Sequence, residues 1–486
     1  MKKPIAILLL LALVLGLCAC NPAGTANSTG AGDTTAPAVN ITGVFSVGFG
    51  RVNITPSYSV PLAGYGNTSK RMSTGFYDYI YTTCIAMTDA EGETILLYHN
   101  DLTASYNNAM ATLKNAISAG TGIPVDHIMI SATHMHSGPD LSNSSEPSIS
   151  TYTVDLAAWM TEAAQTALAD RVPAEMYINS TEVLGVNFVR HYTMSDGSVA
   201  GDNFGTTAGL TYTGHVSEAD HTLQLVKFVR EGAQDVVLGN WQAHPHGGGG
   251  SKNYNITSDS VGAMRDKLES ETGCLFAYFT GASGNVNSSS RIKEENAASD
   301  YIGRGQILAQ AAIDVYDRFT KVETGNMELV STSYTGLVNH EDDWKLSYAK
   351  QVQQVWVATN NAAQALAVLP DNVEIKSPYH ANGIINKATM GKTFTMENIN
   401  AFSIGDVAFV TAPYEMFHEN GSAIKERSPY EMTFVITLAN GGNGYLPSYA
   451  TYEFFSYECC TSRFKQGSAE ELVDLYVSLL NQIHAK

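Results

Sequence analysis

The chain has 486 residues, of which 15% are charged and 44% are hydrophobic, and its formal net charge is −19 at pH 7. This is the composition of a globular protein with enough apolar residues for a large core, in two or three domains or in one large mixed domain. The acidic balance argues against a nucleic-acid partner and against electrostatic docking on anionic lipid, and solvation of an extracytoplasmic protein is enough to explain it.

The first twenty residues have the pattern of an export signal. Two lysines precede an apolar run over residues 5–17, which is too short for a comfortable membrane span. The following Leu17-Cys18-Ala19-Cys20 resembles a bacterial lipobox, which implies cleavage before Cys20 and acylation of its thiol. Plain secretion with cleavage nearby is the alternative. We therefore predict that a lipid on Cys20 anchors the protein outside the cytoplasm, in a bacterial cell envelope.

This N-terminal pattern divides the chain into three predicted segments. Residues 1–20 form a lipoprotein signal peptide, residues 21–43 form a flexible tether, and residues 44–486 form the folded region. The folded region contains no CxxC pair and no cluster of cysteine with histidine, which argues against a zinc finger. Cys459 and Cys460 are adjacent and are interpreted as buried free thiols, with a strained vicinal disulfide as the alternative.

Strands and helices alternate in the first part of the folded region. Apolar residues alternate with small or polar ones over residues 45–56, which predicts a strand. Further strands are predicted over residues 79–87, 94–98 and 127–131, with a helix over 105–120. Asp101 follows one of these strands and is a candidate to orient a histidine. The strand–helix–strand order indicates an α/β arrangement.

The rest of the folded region continues this mixture. Helices are predicted over residues 152–171, 258–271, 299–318, 343–366 and 468–484. Strands are predicted around residues 176–178, 184–188, 220–228, 236–241, 275–279 and 432–438, and a strand hairpin is predicted over 401–410. Residues 322–395 contain no recognisable chemistry, and we expect them to cover or shape a pocket.

Histidine pairs follow two of the predicted strands at the point where each strand ends. His134 and His136 come after one strand, and His244 and His246 come after another. Glycine or proline follows each pair and stops regular structure. Side chains at i and i+2 of an extended segment point to the same side, so His134 and His136 are expected to face one pocket. The alternative is that they hydrogen-bond the nearby backbone.

Two further strand ends complete a candidate site. Glu415 comes just after a strand, although a helix dipole would also favour a carboxylate there. Residues 281–291 form a glycine- and asparagine-rich loop that suits an anion or a developing oxyanion, with a simple turn as the alternative. Catalytic zinc normally takes three protein ligands from histidine and carboxylate and keeps one position for water. Two histidines and Glu415 would satisfy this requirement.

The order of these motifs resembles the neutral/alkaline (non-lysosomal) ceramidases and their bacterial relatives, over about residues 44–486. The motifs are Val47-Gly-Phe-Gly-Arg-Val-Asn-Ile-Thr-Pro56, Pro61-Leu-Ala-Gly-Tyr65, Ser131-Ala-Thr-His-Met-His-Ser-Gly-Pro139, Ala243-His-Pro245, Ser258-Asp259, Pro413-Tyr-Glu415 and the tail Gly444-Tyr445…Tyr457-Glu458. The resemblance implies a ceramidase-like catalytic domain. The expected fold is mixed α/β, a layered sandwich of β-sheets flanked by helices, with the metal site at the C-terminal ends of strands.

The resemblance also implies which residues hold zinc and which line the reacting amide. In the family, zinc is held by the first histidine of the Thr-His-x-His motif, the histidine of His-Pro, a glutamate and a tyrosine, which match His134, His244, Glu415 and Tyr445. The second histidine of the first motif, an arginine and a later tyrosine line the amide, and they match His136, Arg190 and Tyr457. The match at Asn187-Phe-Val-Arg190 is looser than the others.

The chain departs from the ceramidases at two places. They carry Gly-Asp-Val-Ser-Pro, with the serine placed as catalytic, where this chain has Gly284-Asn285-Val286-Asn287-Ser288. Asn287 therefore occupies the serine position, and Ser288 is displaced by one. The resemblance also stops before the C-terminal immunoglobulin-like domain of the full ceramidases. Both departures are compatible with a zinc hydrolase. They do not support ceramide as its specific substrate.

These features predict a zinc-dependent hydrolase that cleaves the amide bond of an N-acyl compound, a ceramide-like lipid or a related amide, with a metal-activated water. His136 is expected to move protons, and Tyr457 with Asn285 or Asn287 is expected to bind the oxyanion. No serine nucleophile is required. The alternatives are a surface lipoprotein that binds a lipid or small solute without turnover, and a zinc esterase or deacetylase.

Overall fold

Two β-sheets pack face to face in the computed structural model, which describes residues 43–65, 71–248 and 250–486. The predicted signal peptide, the predicted lipid anchor Cys20 and the predicted tether up to residue 42 lie outside the described residues. The larger sheet runs in the order Leu275–Thr280, Val236–Trp241, Thr222–Arg230, Val172–Glu182, Ser46–Asn53, Tyr81–Thr88, Thr94–Asn100 and Ile128–Ala132, with Thr320–Val322 paired to Val172–Glu182. The smaller sheet runs in the order Met327–Leu337, Thr393–Ile404, Val407–Ala412 and Met432–Thr437.

Short strands and helices surround the two sheets. Tyr212–His215, His191–Met194 and Val199–Gly201 form a small sheet, and the paired short strands are Asn255–Ile256 with Gly75–Phe76, Val286–Asn287 with Phe188–Val189, and Glu415–Met416 with Tyr445–Leu446. The α-helices are Asn107–Thr121, Pro147–Ala169, Asp259–Thr272, Tyr301–Asp314, Leu346–Thr359, Ala362–Leu366, Pro378–Lys387, His418–Arg427, Tyr457–Thr461 and Ser468–His484.

The core lies in layers set by the two-residue period of the strands. Along the strand Tyr81–Thr88, Ile85 and Met87 face the smaller sheet, whereas Cys84 and Ala86 face the helices Asn107–Thr121 and Pro147–Ala169. Other helices cover the second half of the larger sheet and the outer face of the smaller one, and these are Asp259–Thr272, Tyr301–Asp314, His418–Arg427 and Ser468–His484. This arrangement confirms the predicted mixed α/β fold of sheets flanked by helices.

The helix Pro147–Ala169 approaches the strand Ser46–Asn53 very closely because two strand residues lack side chains. A Cβ atom at Gly48 would lie 1.9 Å from the carbonyl oxygen of Ala167, and one at Gly50 would lie 2.0 Å from that of Ala163. No larger residue fits at either position without moving the helix backbone. The two glycines of the first motif therefore serve packing between layers.

Two predicted elements are wrong in their bounds. The helix predicted over residues 343–366 is divided, because Asn360 has a left-handed backbone with φ 51° and ends the first part. Residues 184–187 do not form a strand, since the preceding strand continues to Glu182 and the next begins at Phe188.

The cysteines and the helices test two further predictions. Cys459 and Cys460 are buried free thiols, as the more conservative interpretation expected. Within the described ranges, the helices lack the length and apolar character that a membrane span requires.

Candidate metal centre

The segments that carry the candidate ligands leave strands at their C-terminal ends. The strands belong to three parallel pairs, Thr94–Asn100 with Ile128–Ala132, Val236–Trp241 with Leu275–Thr280, and Val407–Ala412 with Met432–Thr437. Strands that run in parallel end at the same edge of their sheet, where ligand sites are usually found. The segments that follow these strands meet there.

His134 is held by the backbone of a neighbouring segment. Its strand ends at Ala132, and His134 itself has a left-handed backbone with φ 69°. Its N–H donates to the carbonyl oxygen of Leu102 at 2.9 Å, and its Nδ1 lies 2.6 Å from that of Thr103. The extended geometry predicted for His134 and His136 is therefore wrong, because the turn at His134 replaces it. The two side chains nevertheless lie together, with 3.4 Å between their Nε2 atoms.

His244 is held in the same way by the central loop. Its N–H donates to the carbonyl oxygen of Val286 at 3.0 Å. Its Nδ1 lies 2.9 Å from the carbonyl oxygen of Ser283 and 3.1 Å from that of Val286. The loop that the sequence identified as a candidate anion site therefore also orients a histidine.

Glu415 brings a carboxylate between the two histidines. Its Oε2 lies 3.3 Å from His134 Nε2 and 3.2 Å from His244 Nε2. Gly284 of the central loop allows this approach, since a Cβ atom there would lie 2.6 Å from the carbonyl oxygen of Glu415. Glu415 is also paired in register with Tyr445, which brings the tyrosine backbone beside it.

These contacts fix where the histidine protons are. A carbonyl oxygen can only accept a hydrogen bond, so Nδ1 of His134 and of His244 carries a proton. In the neutral form of each ring, Nε2 then presents a lone pair. Both lone pairs face the carboxylate of Glu415. Neither His244 Nε2 nor Glu415 Oε2 has a hydrogen-bond partner among the described residues, although both are buried. Acceptors that face one another without a hydrogen between them need a cation.

The charge states suit a metal ion as well. Burial lowers the pKa of His244 to about 4, so its imidazole is neutral at pH 7. The ligand nitrogens of His134, His136 and His244 all lie within 4.8 Å of one another. Neutral imidazole and ionised carboxylate are the donors that zinc takes, so this cluster can hold a metal ion.

His136 differs from the other two histidines in its surroundings. Its Nδ1 is buried and has no hydrogen-bond partner among the described residues. The ring of Tyr65 meets it edge to face at 5.3 Å, and the ring of His246 lies 5.6 Å away. Burial lowers the pKa of His136 well below its usual value. His136 therefore stands as a neutral imidazole at the rim of the cluster.

Arg190 and Asn287 lie beside the histidine cluster. The strand Val286–Asn287 pairs with Phe188–Val189, and Asn287 forms a β-bridge with His244. Asn287 Oδ1 accepts from Arg190 Nη1 at 3.4 Å, and its Nδ2 donates to Asp202 Oδ2 at 2.8 Å. These two contacts fix which end of the Asn287 amide is the donor and leave one of its N–H hydrogens for another acceptor.

An aromatic path leads from the site towards the surface. The ring of Tyr457 lies 5.9 Å from that of Tyr445, and the ring of Tyr379 meets Tyr457 at 5.3 Å. Trp356 lies 6.3 Å beyond Tyr379. Tyr379 and Trp356 belong to residues 322–395, which the sequence predicted to cover or shape the pocket, and Tyr379 is the one that contacts Tyr457.

Sequence reasoning missed or misplaced several residues near the site. Asn285, one of two candidate oxyanion donors, is engaged elsewhere: its amide donates to Glu419, and its Oδ1 accepts from the His418 N–H. Asp101 does orient a histidine, but it is His99, 3.2 Å away. Asp202 had no signal in the sequence, because its partners come from other segments. The Thr103 carbonyl had none either, because any residue supplies one.

Two of the solved structures that match the chain are ceramidases, and each match covers most of this chain. One is neutral ceramidase from Pseudomonas aeruginosa, with a TM-score of 0.65 and 16% sequence identity, over 90% of this chain and 75% of that one. The other is a ceramidase complexed with C2, with a TM-score of 0.65 and 14% identity, over 91% and 75%. The chain shares the fold of neutral ceramidase. The motif order predicted this relationship. No family model matches the chain, and no curated protein matches it.

Proposed function

We propose that the protein is a zinc-dependent hydrolase that cleaves the amide bond of an N-acyl compound, a ceramide-like lipid or a related amide. The observation that carries this proposal is that His134 Nε2 and His244 Nε2 both meet the buried Glu415 Oε2, while His244 Nε2 and Glu415 Oε2 have no hydrogen-bond partner among the described residues. The shared fold supports it, because both matching structures are described as ceramidases.

His134, His244 and Glu415 would hold the metal ion, and Tyr445 would be the fourth ligand. Bound zinc supplies a Lewis acid that polarises a carbonyl group and lowers the pKa of water. Tyr445 is paired in register with Glu415, and the negative charge of Glu415 acts on its buried phenol. Backbone carbonyls hold His134 and His244 by Nδ1, so their Nε2 atoms need little rearrangement to bind the ion.

The other site residues act on the substrate and its protons. His136 is neutral and can accept a proton from water and deliver it to the leaving amine, a role typically worth ~10²–10⁴ in rate. The free N–H of Asn287 and the hydroxyl of Tyr457 would donate to the amide oxygen as it gains charge. Losing one donor of this kind typically costs about 3–4 kcal/mol. Arg190 would line the reacting amide from the side of Asn287.

A substrate screen tests the proposal. N-acyl sphingosines, N-acyl amino acids and simple esters are supplied with zinc present and with zinc removed by a chelator. We expect turnover of an amide that requires zinc and persists at a reduced rate in Asn287→Ala. Glu415→Gln should abolish both zinc binding and turnover, whereas the exposed Glu453→Gln should change neither.

The same screen distinguishes the competing functions. Zinc-independent binding of one of these compounds without turnover would instead identify a receptor. Zinc-dependent turnover of esters alone would identify an esterase. Complete loss of amide turnover in Asn287→Ala, with zinc retained, would show that the side chain at the family's serine position is indispensable and would overturn the assigned role of Asn287.

A further inference from the structure

Glu458 is a buried carboxylate that the proposed chemistry does not use. It follows Tyr457 at the start of the helix Tyr457–Thr461 and is 1% exposed. Its Oε1 accepts from Arg190 Nε at 2.7 Å and from Arg190 Nη2 at 2.6 Å. Its Oε2 lies 3.0 Å from His191 Nε2. One carboxylate thus holds two consecutive residues of a segment that lies more than 260 positions away in the chain.

Arg190 is bound on several sides once Glu458 holds it. Its Nη2 also donates to the carbonyl oxygen of Gly284 at 2.8 Å, and its Nη1 donates to Asn287 Oδ1. The guanidinium carbon lies 5.3 Å from the centre of the Tyr445 ring. The guanidinium is planar and its donors form a rigid fork, so fixing Nε and Nη2 also fixes where Nη1 points.

The buried guanidinium of Arg190 needs a partner of opposite charge. Arg190 is 5% exposed, and an isolated buried charge is unfavourable. Burial opposes the charge, but Glu458 holds the pKa of Arg190 above its usual value, so the pair is ionised. Shared hydrogen bonds and opposite charge make Glu458 the main partner of the guanidinium.

His191 restrains Glu458 in turn. Its ring is surrounded by Phe204, Phe417 and Phe454, with ring centres 5.3 to 5.7 Å away. These contacts hold the plane of the imidazole, and its Nε2 faces Glu458. The second carboxylate oxygen therefore has a buried partner of its own.

We propose that Glu458 is a positioning residue that sets the orientation of Arg190 against Asn287 and Tyr445. His191 restrains Glu458 from behind, and Glu458 acts only through Arg190. This role rests on the proposed function insofar as it concerns turnover, since Arg190 is assigned there to the reacting amide. The contact itself does not depend on that assignment.

A double-mutant cycle tests the role in turnover. Glu458→Gln, Arg190→Gln and the double variant are compared with the wild-type protein, each loaded with zinc. Misplacing a positioned group by about 1 Å typically costs about 10²-fold, so we expect a loss of that size in kcat for Glu458→Gln. Zinc content should stay at one equivalent. The double variant should be no slower than Arg190→Gln alone, because the side chain of Glu458 contacts Arg190 and His191, and only Arg190 is assigned to the reacting amide.

A measurement that does not need turnover tests the contact. The Nε–Hε resonance of Arg190 is identified in a ¹⁵N–¹H spectrum by its loss in Arg190→Gln. We expect slow exchange with solvent in the wild-type protein, and a displaced, fast-exchanging resonance in Glu458→Gln. If the wild-type protein hydrolyses none of the compounds, the proposed function fails, and this resonance still decides whether Glu458 holds Arg190.

Several results would overturn the proposal. They are an additive loss in the double variant, loss of zinc in Glu458→Gln, wild-type kcat in that variant, and an unchanged Arg190 resonance. If Glu458→Gln does not fold, Glu458→Asp takes its place, because it keeps the charge and withdraws it by one methylene. In Glu458→Asp, an intermediate loss of kcat together with a displaced Arg190 resonance would support the role. A wild-type kcat together with an unchanged resonance would exclude it.

Discussion

His134 and His244 differ from His136 in what their Nδ1 atoms contact. Backbone carbonyls bind Nδ1 of the first two, whereas Nδ1 of His136 has no partner among the described residues. We therefore predict that the purified protein holds about one equivalent of zinc and that His134→Ala or His244→Ala removes it. His136→Ala should keep the zinc and lose ~10²–10⁴ in rate, the usual loss for a proton-transfer group. Metal analysis of the purified variants measures the first effect.

The control for these variants is His127→Ala, which removes a partly exposed histidine paired with Asp126. Its metal content and activity should match the wild-type values. Zinc retained in both His134→Ala and His244→Ala would refute the ligand assignment. Zinc lost in His136→Ala would make His136 a ligand and would remove it from proton transfer.

Lys114 is a buried cation without a hydrogen-bond partner among the described residues. Burial lowers its pKa from 10.5 to about 8. The unfolded chain therefore binds a proton more tightly than the folded one, and the charged lysine destabilises the fold at all pH values below about 8. This cost falls as the pH rises from about 8 to 10.5, because the folded state then loses its charge first.

Lys114→Met should therefore stabilise the protein at pH 7, since each pKa unit corresponds to about 1.4 kcal/mol. The gain in the free energy of unfolding should be about 3 kcal/mol and should shrink towards pH 10.5. Urea denaturation at pH 7 and pH 10 measures it. The exposed Lys350→Met is the matched control and should change little at either pH. A gain that does not vary with pH would show that packing, and not the charge, causes it.

At the scale of single elements, the helix Pro378–Lys387 supplies an aromatic neighbour to Tyr457. Tyr379 is 37% exposed, and its ring meets Tyr457 edge to face. We predict that Tyr379→Ala raises KM for N-acyl substrates with long chains by about tenfold, because one aromatic wall of roughly 1–2 kcal/mol is lost. Zinc content and kcat should stay near their wild-type values.

Comparison of short and long acyl chains measures this effect. Trp344→Ala is the control, because Trp344 is an exposed aromatic residue in a neighbouring segment and is not part of the aromatic path to Tyr457. An equal rise in KM for both variants, or a rise that does not depend on chain length, would exclude Tyr379 from substrate binding.

At the scale of the whole molecule, we propose that the protein is held at the bacterial cell envelope by a lipid on Cys20. Leu17-Cys18-Ala19-Cys20 is the basis of this proposal, and it lies outside the described residues. Cys20→Ser should release the protein into the medium or leave an uncleaved precursor. Mass spectrometry of the N-terminal peptide measures the acyl group, and a wild-type peptide without acyl mass would refute the proposal.

The sequence by itself determined the mixed α/β class of the fold and the strand ends that carry the candidate ligands. The two-residue period over residues 45–56 and the apolar runs before His134 and His244 mark strands locally, since burial requires a periodic pattern. Chain breakers after those histidines mark the strand ends. Local patterns of this kind need no partner from elsewhere in the chain, and the resemblance to ceramidases followed from their order.

Only the tertiary structure decided how the site residues contact one another. Glu458 and Arg190 are separated by 268 positions, and the sequence near either residue does not predict a contact with the other. The carbonyl oxygen of Thr103 orients His134, but every residue has a carbonyl oxygen, so no sequence signal exists. Asn285 and Asn287 look equivalent in the sequence, and packing alone turns one to Glu419 and the other to Arg190. Such choices depend on long-range contacts, and local propensity does not encode them.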